Sequence, residues 1–389
     1  MVHLTHSCIS DFKVTSVTLG GSSMKKILNI ITSVLVLGFI LALSVFAWVK
    51  PADDISNAER REFAKFPELS FNTLISGSFM KNFENYTLDQ FPLREFFRTV
   101  KAQSELGIFN KLSNNDIIEK DGYITKIEYP LNEQSVENAG EKFKNVYEKY
   151  LKDTNTNVYF SIIPDKNYYL ISEDENYLSL DYNKLVTDIT HKTSYMKYID
   201  IFSELTIDSY YKTDSHWRQE KILPVAKKLA GEMGVSLNAE YTKTPFENEF
   251  YGVYFGQYAM PVDAEPMYFL KNDITDNAVV FDYQNQKNIE VYKKSKGDLR
   301  DPYETYLGGP LSLVTIENEN ATTDKELIMF RDSYGSSLAP LFIEGYKKIT
   351  LIDIRYMHPN MIENFVEFNN QDVLFIYSTS VLNNSETLK

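Results

Sequence analysis

A serine at the end of a strand-like run is the first residue whose type and setting suggest chemistry. The apolar run Glu326–Phe330 leads into the polar block 331–337, which contains Ser333, and then into the helical stretch Leu338–Gly345. A serine at a strand-to-helix turn lies at the carboxyl edge of a sheet, beside free backbone amides that can stabilise an oxyanion. Because Asp and Ser are also common helix caps, a purely structural role for the block is the alternative.

A second polar block contains a pair of residues that can act as a general base. Asp214 stands two residues before His216, ahead of the helical stretch Gln219–Met233. An aspartate at this spacing can accept a hydrogen bond from one ring nitrogen while the other nitrogen faces a serine. The alternative is a capping aspartate beside a surface histidine, with Trp217 as an ordinary core residue. The presence of both blocks in one domain favours a Ser-His-Asp site.

Short apolar runs alternate with helical stretches after residue 122, and this pattern predicts an α/β domain whose sheet is covered by helices. The expected core strands are Asn157–Ile163, Tyr198–Phe202, Glu326–Phe330, Ile349–Ile354 and Val373–Tyr377. Residues 240–310 are rich in Tyr, Gly, Asp and Asn, and we expect loops and short strands there, over one end of the sheet. Open α/β folds place their ligands at such an end.

The N-terminal part contains one long apolar segment without charge. Residues 27–49 follow Lys25 and Lys26 and are long enough to span a bilayer, which needs about 20 residues. The basic flank predicts that the N-terminus stays inside and that the remainder of the chain lies outside the cytoplasm. We expect an uncleaved single-pass anchor. The segment 45–47 resembles a signal cleavage site, so a secreted protein is the alternative.

The predicted organisation has four parts. Residues 1–24 are a leader that resembles an over-extended start, and residues 25–50 are the transmembrane anchor or signal segment. Residues 51–115 combine a polar helical pattern with spaced aromatic residues, which is typical of a membrane-proximal connector. Residues 116–389 are the α/β domain, with the loop-rich insertion at about 240–310.

Composition and charge exclude several classes of function. A net charge of −14 argues against a nucleic-acid backbone as the main ligand and favours a neutral or sugar-like partner. The one cysteine, Cys8, precedes the apolar segment, and the later histidines, at 191, 216 and 358, lack the spacing of zinc ligands. EF-hand, phosphate-loop and dinucleotide motifs are missing as well. We therefore expect no metal and no cofactor.

Four stretches, in order along the chain, resemble the DHHW family, whose relatives include SGNH-hydrolase-like alginate O-acetyltransferases. They are FENYTLDQFPLR (83–94), IIPDKNYY (162–169), TDSHW (213–217) and FRDSYGSSLAPLF (330–342). The resemblance extends over roughly residues 60–380. It implies an SGNH-hydrolase-like domain with three α/β/α layers and a mainly parallel sheet. In these relatives the Asp and the His precede the Ser in sequence, as they do here.

The resemblance also implies roles for individual residues. Ser333 corresponds to the nucleophile, His216 to the base and Asp214 to the partner that orients the base. Ser215 stands at the first histidine of the namesake motif, a position at which related acetyltransferases vary.

The groups that would bind the oxyanion or the substrate are less well defined by the resemblance. The candidates are Tyr334, Gly308, Gly309 and Arg331. Arg331 stands where ordinary SGNH hydrolases have glycine, and Pro310 stands where relatives often carry an asparagine. Backbone amides near Ser333 are a further source of donors.

Together these observations predict a membrane-anchored, extracytoplasmic acyltransferase or esterase. The expected substrate is an acetyl group on a cell-surface or secreted polysaccharide, and a transferase would need an acyl donor from a membrane-embedded partner. The alternative is a degenerate domain of the same fold that binds glycans or partner proteins without catalysis. The retention of all three triad residue types favours an enzyme.

Overall fold

The computed structural model of the chain describes residues 19–56, 58–247, 249–293 and 301–389. The described chain separates into two compact units. The first extends to Asp54 and also includes Glu62–Arg94, and the second comprises Ile55–Arg61 and Glu95–Lys389. Most of the predicted leader and residues 294–300 of the predicted insertion lie outside the described residues.

The first unit begins with a long apolar helix, α1 (Leu19–Val49). An 18-residue window within Met24–Val49 has a mean hydropathy of 2.7, and none of that window is buried against other residues. A 26-residue helix of this composition is long enough to cross a bilayer. The helix therefore fits a single-pass anchor or a signal sequence, as the sequence predicts.

Side chains at the end of α3 hydrogen-bond to backbone groups of the segments on either side of Ile55–Arg61. Helices α2 (Phe71–Ile75) and α3 (Ser78–Asp89) follow one another in this unit. The buried Asp89 carboxylate accepts a hydrogen bond from the Ala64 N–H at 2.8 Å. The Gln90 side chain accepts from the Asp53 N–H at 2.9 Å and donates to its carbonyl at 2.8 Å. These polar residues of the stretch 83–94 thus satisfy backbone groups, which is a structural role.

The remaining helices belong wholly or mainly to the second unit. They are α4 (Arg94–Gln103), α5 (Glu133–Tyr150), α6 (Asn167–Leu170), α7 (Tyr182–Lys192), α8 (Leu223–Glu232), α9 (Val253–Tyr258), α10 (Asp273–Asn277), α11 (Tyr334–Leu338) and α12 (Thr379–Asn383). The strands are β1 (Ile55–Ser56), β2 (Arg61–Glu62), β3 (Ile117–Lys120), β4 (Tyr123–Lys126), β5 (Asn157–Ile163), β6 (Lys197–Tyr198), β7 (Thr242–Pro245), β8 (Tyr268–Lys271), β9 (Val279–Asp282), β10 (Lys287–Ile289), β11 (Leu313–Glu317), β12 (Glu326–Arg331), β13 (Lys348–Ile352) and β14 (Asp372–Ser378).

An eight-stranded sheet forms the centre of the second unit, with the strand order β10-β9-β11-β13-β12-β14-β5-β6. The strands from β13 to β6 pair in parallel, whereas β10, β9 and β11 pair antiparallel at the other side. Every residue of β14 is buried, which is typical of a parallel strand covered on both faces. The mainly parallel α/β sheet predicted from the sequence is confirmed.

The two faces of the sheet have separate hydrophobic cores, because side chains alternate along each strand. On one face, Val373 and Phe375 of β14 pack with apolar residues of α5 and α7. On the other face, Leu374 and Ile376 pack with apolar residues of α8. Helices therefore cover both sides of the sheet, as expected for three α/β/α layers.

Three expected details differ from the structure. The strand expected at Tyr198–Phe202 is only two residues long, and Phe202 begins a 3-10 turn instead. Of the helical stretch expected at Leu338–Gly345, only Leu338 belongs to a helix, α11, and the 3-10 turn Ala339–Phe342 follows it. The insertion at 240–310 contributes β9 and β10 to the main sheet and does not only cover its end.

Candidate active site

The parallel strands end at one edge of the sheet and bring several polar segments together there. Ser333 follows β12 by two residues and immediately precedes α11. The neighbouring Asp332 is buried, accepting from the Tyr334 N–H at 3.0 Å and from the Ser378 N–H at 2.7 Å. Asp332 therefore fixes the serine turn to the end of β14, and each of its carboxylate oxygens already accepts a backbone N–H.

The segment 213–217 reaches the same edge from a loop, where two side chains hold it. The Glu265 carboxylate accepts from the Thr213 N–H at 2.8 Å and from its hydroxyl at 2.7 Å. On the other side, the buried Trp217 donates its indole N–H to the Ser337 hydroxyl at 2.8 Å. Because Ser337 belongs to α11, this bond joins the histidine loop directly to the serine turn.

The three residues predicted as a triad form one chain of hydrogen bonds. His216 Nε2 lies 2.8 Å from Ser333 Oγ, and His216 Nδ1 lies 2.6 Å from Asp214 Oδ1. The other Asp214 oxygen accepts from the Val253 N–H at 2.8 Å. With the Nδ1 proton donated to Asp214, Nε2 is free to accept the serine proton, which is the arrangement that general-base catalysis requires.

Two tyrosines fix the plane of the histidine ring. Tyr303 stacks on the imidazole with centroids 3.8 Å apart and an interplanar angle of 12°. Tyr334 contacts the same ring at 4.8 Å, and its hydroxyl donates to the Ser215 carbonyl at 2.6 Å. His216 is only 9% exposed, so one side of the ring is closed to water.

The charge of Asp214 is maintained despite its complete burial. Burial alone raises the pKa of this carboxyl, but the charge and hydrogen bonds of His216, together with the charge of Arg60, outweigh it. The net result is a pKa below the usual value, so that Asp214 is an anion whenever the histidine needs a partner.

Arg60 is a site residue that the sequence did not indicate. It lies between β1 and β2, and its side chain is 9% exposed. Its guanidinium lies 2.7 Å from an oxygen of Asp301 and 3.6 Å from an oxygen of Asp214, and it also donates to the Tyr251 carbonyl. Arg60 thus lies between the buried Asp214 carboxylate and the partly exposed Asp301 carboxylate, behind the histidine. No motif marks it, because its partners are distant in sequence.

Gly252 allows the segment before α9 to approach the histidine loop. A Cβ at this position would lie 2.1 Å from the Thr213 carbonyl carbon and 2.2 Å from the Asp214 nitrogen. The Gly252 N–H donates to the Thr213 hydroxyl at 2.7 Å. Only a residue without a side chain permits this contact, which places the Val253 N–H against Asp214.

Lys166, which follows β5, hydrogen-bonds to the backbone of the histidine loop. Its ammonium donates to the carbonyls of Tyr211, Lys212 and Asp214 at 3.0, 3.1 and 2.8 Å. Burial lowers the pKa of Lys166 to about 7, although the nearby carboxylates of Asp214 and Glu265 oppose the change. The lysine of the stretch 162–169 is therefore part of the scaffold of the site.

Ser333 opens into a cleft of about 340 Å³. Tyr334, Ser215, Lys166 and Arg355 are among the other residues that line it. Of the candidates for oxyanion or substrate binding, Tyr334 is the one found in this lining.

The other candidates lie elsewhere. Arg331 is fully buried, 3.4 Å from Asp353, and does not line the cleft. Gly308 and Gly309 adopt positive φ angles in a turn, and neither lines the cleft. The Gly309 N–H donates to the Tyr306 carbonyl at 3.2 Å and is already engaged. Within the described ranges, no group of three or more His, Cys, Asp or Glu side chains could hold a metal ion.

Several solved structures share the fold. A DHHW family protein from Eubacterium siraeum is 23% identical, with a TM-score of 0.58 over 71% of this chain and 95% of that chain. PatB1 of Bacillus cereus, in a structure with a sulfonyl adduct, is 17% identical, with a TM-score of 0.55 over 68% of this chain and 95% of that chain. A second PatB1 structure is 18% identical, with a TM-score of 0.52 over 68% and 96% of the two chains.

No family model matches the sequence, and no curated protein matches it. Because the identities are below 25%, the similarity establishes the fold. The predicted SGNH-hydrolase-like fold of the kind found in a DHHW family protein is confirmed.

Proposed function

We propose that this protein is an extracytoplasmic acyltransferase or esterase that uses Ser333 as its nucleophile and acts on acetyl groups of a polysaccharide. The observation that carries the proposal is the continuous chain Ser333 Oγ, His216 and Asp214, with contacts of 2.8 and 2.6 Å. An isolated serine would be a weak nucleophile, and an adjacent oriented base activates it.

The first half of the reaction forms an acetyl-enzyme. Ser333 Oγ attacks the carbonyl carbon of an acetyl ester while His216 Nε2 takes the serine proton. The Asp214 carboxylate stabilises the imidazolium that results. When the tetrahedral intermediate collapses, the ester C–O bond breaks, and His216 returns the proton to the departing oxygen.

The second half transfers the acetyl group from Ser333 to an acceptor. A sugar hydroxyl, or water in an esterase, loses its proton to His216 as its oxygen attacks the acetyl carbon. The bond from that carbon to Ser333 Oγ breaks, and Ser333 regains its proton from His216. Acceptor identity alone separates the two activities.

The oxyanion of each intermediate needs hydrogen-bond donors near Ser333. The Tyr334 N–H donates to Asp332, and the Gly309 N–H donates to Tyr306, so neither is available. We assign oxyanion binding to the Ser333 N–H, which immediately precedes α11. We expect substrate binding to bring a second hydrogen-bond donor into place.

Two further observations support the proposal. The PatB1 structure carries a sulfonyl adduct, and sulfonyl groups react with nucleophilic side chains. The apolar helix α1 fits an anchor that would hold the catalytic unit at the extracytoplasmic face of the membrane it spans. There a membrane partner would deliver the acyl donor.

The test is labelling of the full chain, in detergent, with a fluorophosphonate probe. We expect one probe per chain on Ser333 and no labelling of Ser333→Ala. Ser380→Ala is the matched control, because Ser380 lines the same cleft but hydrogen-bonds to Glu128 at 2.9 Å. Absence of labelling in the folded wild type would contradict the proposal and favour a glycan-binding role without catalysis.

A further inference from the structure

A second, larger groove adjoins the Ser333 cleft. Its volume is about 980 Å³, against about 340 Å³ for the cleft. Lys126, Glu128 and Asn384 line both spaces, so the groove and the cleft share a wall. The cleft is large enough for one sugar unit near the serine, whereas the groove extends the site by several units.

The groove is lined by hydrogen-bonding and acidic groups. Its carboxylates are those of Asp116, Glu128, Glu133 and Glu175, and Lys126 is the one cation in its described lining. Asparagines contribute amides along both sides. Carboxylates accept hydrogen bonds from sugar hydroxyls, and amides both accept and donate them. The excess of negative charge opposes the binding of an anionic chain.

Exposed apolar side chains complete the groove. Tyr129 is 56% exposed, and Leu178 is also 56% exposed, although both line a concave surface. An exposed tyrosine offers an apolar face and a polar hydroxyl together, which suits the alternating C–H and O–H surfaces of a sugar ring.

We propose that this groove binds the acceptor glycan beyond the sugar that reacts, and that it selects neutral or amino sugars over uronic acids. The inference rests on the proposed function, because it takes Ser333 as the point of acetyl transfer. The hydroxyl that attacks the acetyl-Ser333 carbonyl belongs to a sugar in the cleft, its proton passes to His216, and the flanking sugars lie between Tyr129 and Glu175. An ammonium on an amino sugar is attracted by the carboxylates, and a uronate carboxylate is repelled.

The experiment uses the full chain in detergent, with 4-nitrophenyl acetate as acetyl donor and defined tetrasaccharides as acceptors. The acceptors are chitosan tetramer, xylotetraose and tetragalacturonate, together with glucosamine and xylose as single-sugar controls. Release of 4-nitrophenol reports acetylation of the enzyme, and mass spectrometry of the acetylated sugar reports transfer. We expect transfer to the first two tetramers at least 5-fold faster than to tetragalacturonate, and a lower KM for each tetramer than for its monosaccharide.

Two variants test the groove directly. Glu133→Gln with Glu175→Gln should raise the KM for chitosan tetramer about 3- to 10-fold and reduce the preference over tetragalacturonate, with the larger effect at low salt. Tyr129→Ala should raise the KM for both favoured tetramers by a similar factor. Neither change should alter 4-nitrophenol release in the absence of sugar. Glu367→Gln is the matched control, because Glu367 lines a separate cavity with Glu326 and Lys348, the first residues of β12 and β13.

The outcomes separate the two proposals. No 4-nitrophenol release that depends on Ser333 would refute the proposed function itself. Ser333-dependent release with equal transfer to tetragalacturonate, with transfer to no tetramer, or with tetramer KM values unchanged by the groove variants would refute the groove and leave the nucleophile assignment intact.

Discussion

The roles proposed for Asp214, His216 and Ser333 differ, so their individual substitutions should not have equal effects. We expect Ser333→Ala and His216→Ala each to reduce Ser333-dependent hydrolysis of 4-nitrophenyl acetate by roughly a thousand-fold or more. Asp214→Ala should cost less, because Asp214 orients the ring and stabilises its charged form without taking the proton. Initial rates of the single variants check this order.

Non-additivity provides the stricter test of a functional triad. Once Ser333 is removed, further loss of His216 should change the residual rate by less than about 3-fold, because the remaining groups no longer work as a unit. Independent, multiplying losses in the double variant Ser333→Ala/His216→Ala would show that the two residues do not share one step.

Arg60 should set the pH range of the reaction. The imidazole of His216 is faced by Asp214, by the Tyr303 and Tyr334 rings and by Ser333, with Arg60 and Asp301 behind Asp214. In Arg60→Gln two carboxylates remain without their shared cation, and the imidazolium is stabilised. We therefore expect the acid limb of the kcat/KM profile to move to higher pH, because Arg60 is one of the charges that lower the pKa of Asp214.

The control for this shift is Arg61→Gln, a neighbouring residue whose side chain is 41% exposed. Its profile should match the wild type. A lower rate in Arg60→Gln with an unmoved acid limb would mean that Arg60 supports the fold of the site without tuning its charge.

Lys166 should make stability depend on pH above neutrality. Its pKa is lowered to about 7 in the folded protein, mainly by burial, against 10.5 as the usual value. Between these values the unfolded chain binds more protons, so the free energy of unfolding rises with pH, by up to about 1.4 kcal/mol per unit. This contribution is fully present above pH 10.5 and is lost as the pH falls through 7.

Denaturant unfolding of the wild type and of Lys166→Met, at several pH values from 6 to 10, measures the effect. The wild type should gain stability relative to the variant as the pH rises through this range. Parallel curves for the two proteins would contradict a buried lysine that loses its proton on folding.

At the scale of elements, the contact of the α9 segment with the histidine loop should not tolerate a methyl group. Gly252→Ala places a Cβ 2.1 Å from Thr213 backbone, which requires the two segments to separate. We expect a loss of about 2 kcal/mol or more in unfolding free energy and a large loss of activity, because the Val253 bond to Asp214 is disturbed.

Gly231→Ala controls for the general effect of replacing glycine by alanine, which reduces the conformational freedom of the backbone. Gly231 lies in helix α8, with no atom within 4 Å of a Cβ built there. Alanine should stabilise that helix by about 0.5–1 kcal/mol. Similar behaviour of the two variants, in thermal melts and in 4-nitrophenyl acetate hydrolysis, would mean that the close approach at Gly252 is unimportant.

The strands show how much of this fold could be predicted from the sequence. Strands β5, β12 and β14 were expected almost to the residue, because their continuous apolar runs are bounded by polar turns. Short strands are expected within 240–310, but the sequence does not locate β9 and β10 or assign them to the main sheet, since they are short and lie in a region of mixed polarity. The buried strand β11 is likewise not among the expected strands, so apolar runs identify the parallel part of this sheet better than its antiparallel part.

The candidate site was predictable for a different reason. Asp214 and His216 are close in sequence, and Ser333 lies at a strand end, so the local pattern contains them. Arg60 is 154 residues before Asp214, and only the folded chain brings the two together. The sequence also indicates Gly308 and Gly309 as candidates for oxyanion or substrate binding, and the structure places them in a turn outside the cleft.

At the scale of the whole molecule, the apolar helix α1 should determine where the catalytic unit works. One transmembrane helix at about residues 27–49 with a basic N-terminal flank predicts that everything C-terminal to it lies outside the cytoplasm. Protease treatment of intact bacterial protoplasts should digest the C-terminal part. A cytoplasmic marker protein controls for lysis, and full protection of the C-terminal part would contradict this topology.

The buried Arg331 limits which substitutions the serine turn can accept. Its guanidinium lies against Asp353, and Asp353 also binds Arg355, while a Cβ at Gly335 would lie 2.7 Å from the Arg331 Cβ. A lineage could not exchange Arg331 for glycine in one step without leaving a void beside Gly335 and a carboxylate short of one partner. These positions should therefore covary across descendants, with glycine at 331 accompanied by an uncharged residue at 353 and by tolerance of a side chain at 335. The serine turn therefore cannot lose Arg331 without coordinated changes at Asp353 and Gly335.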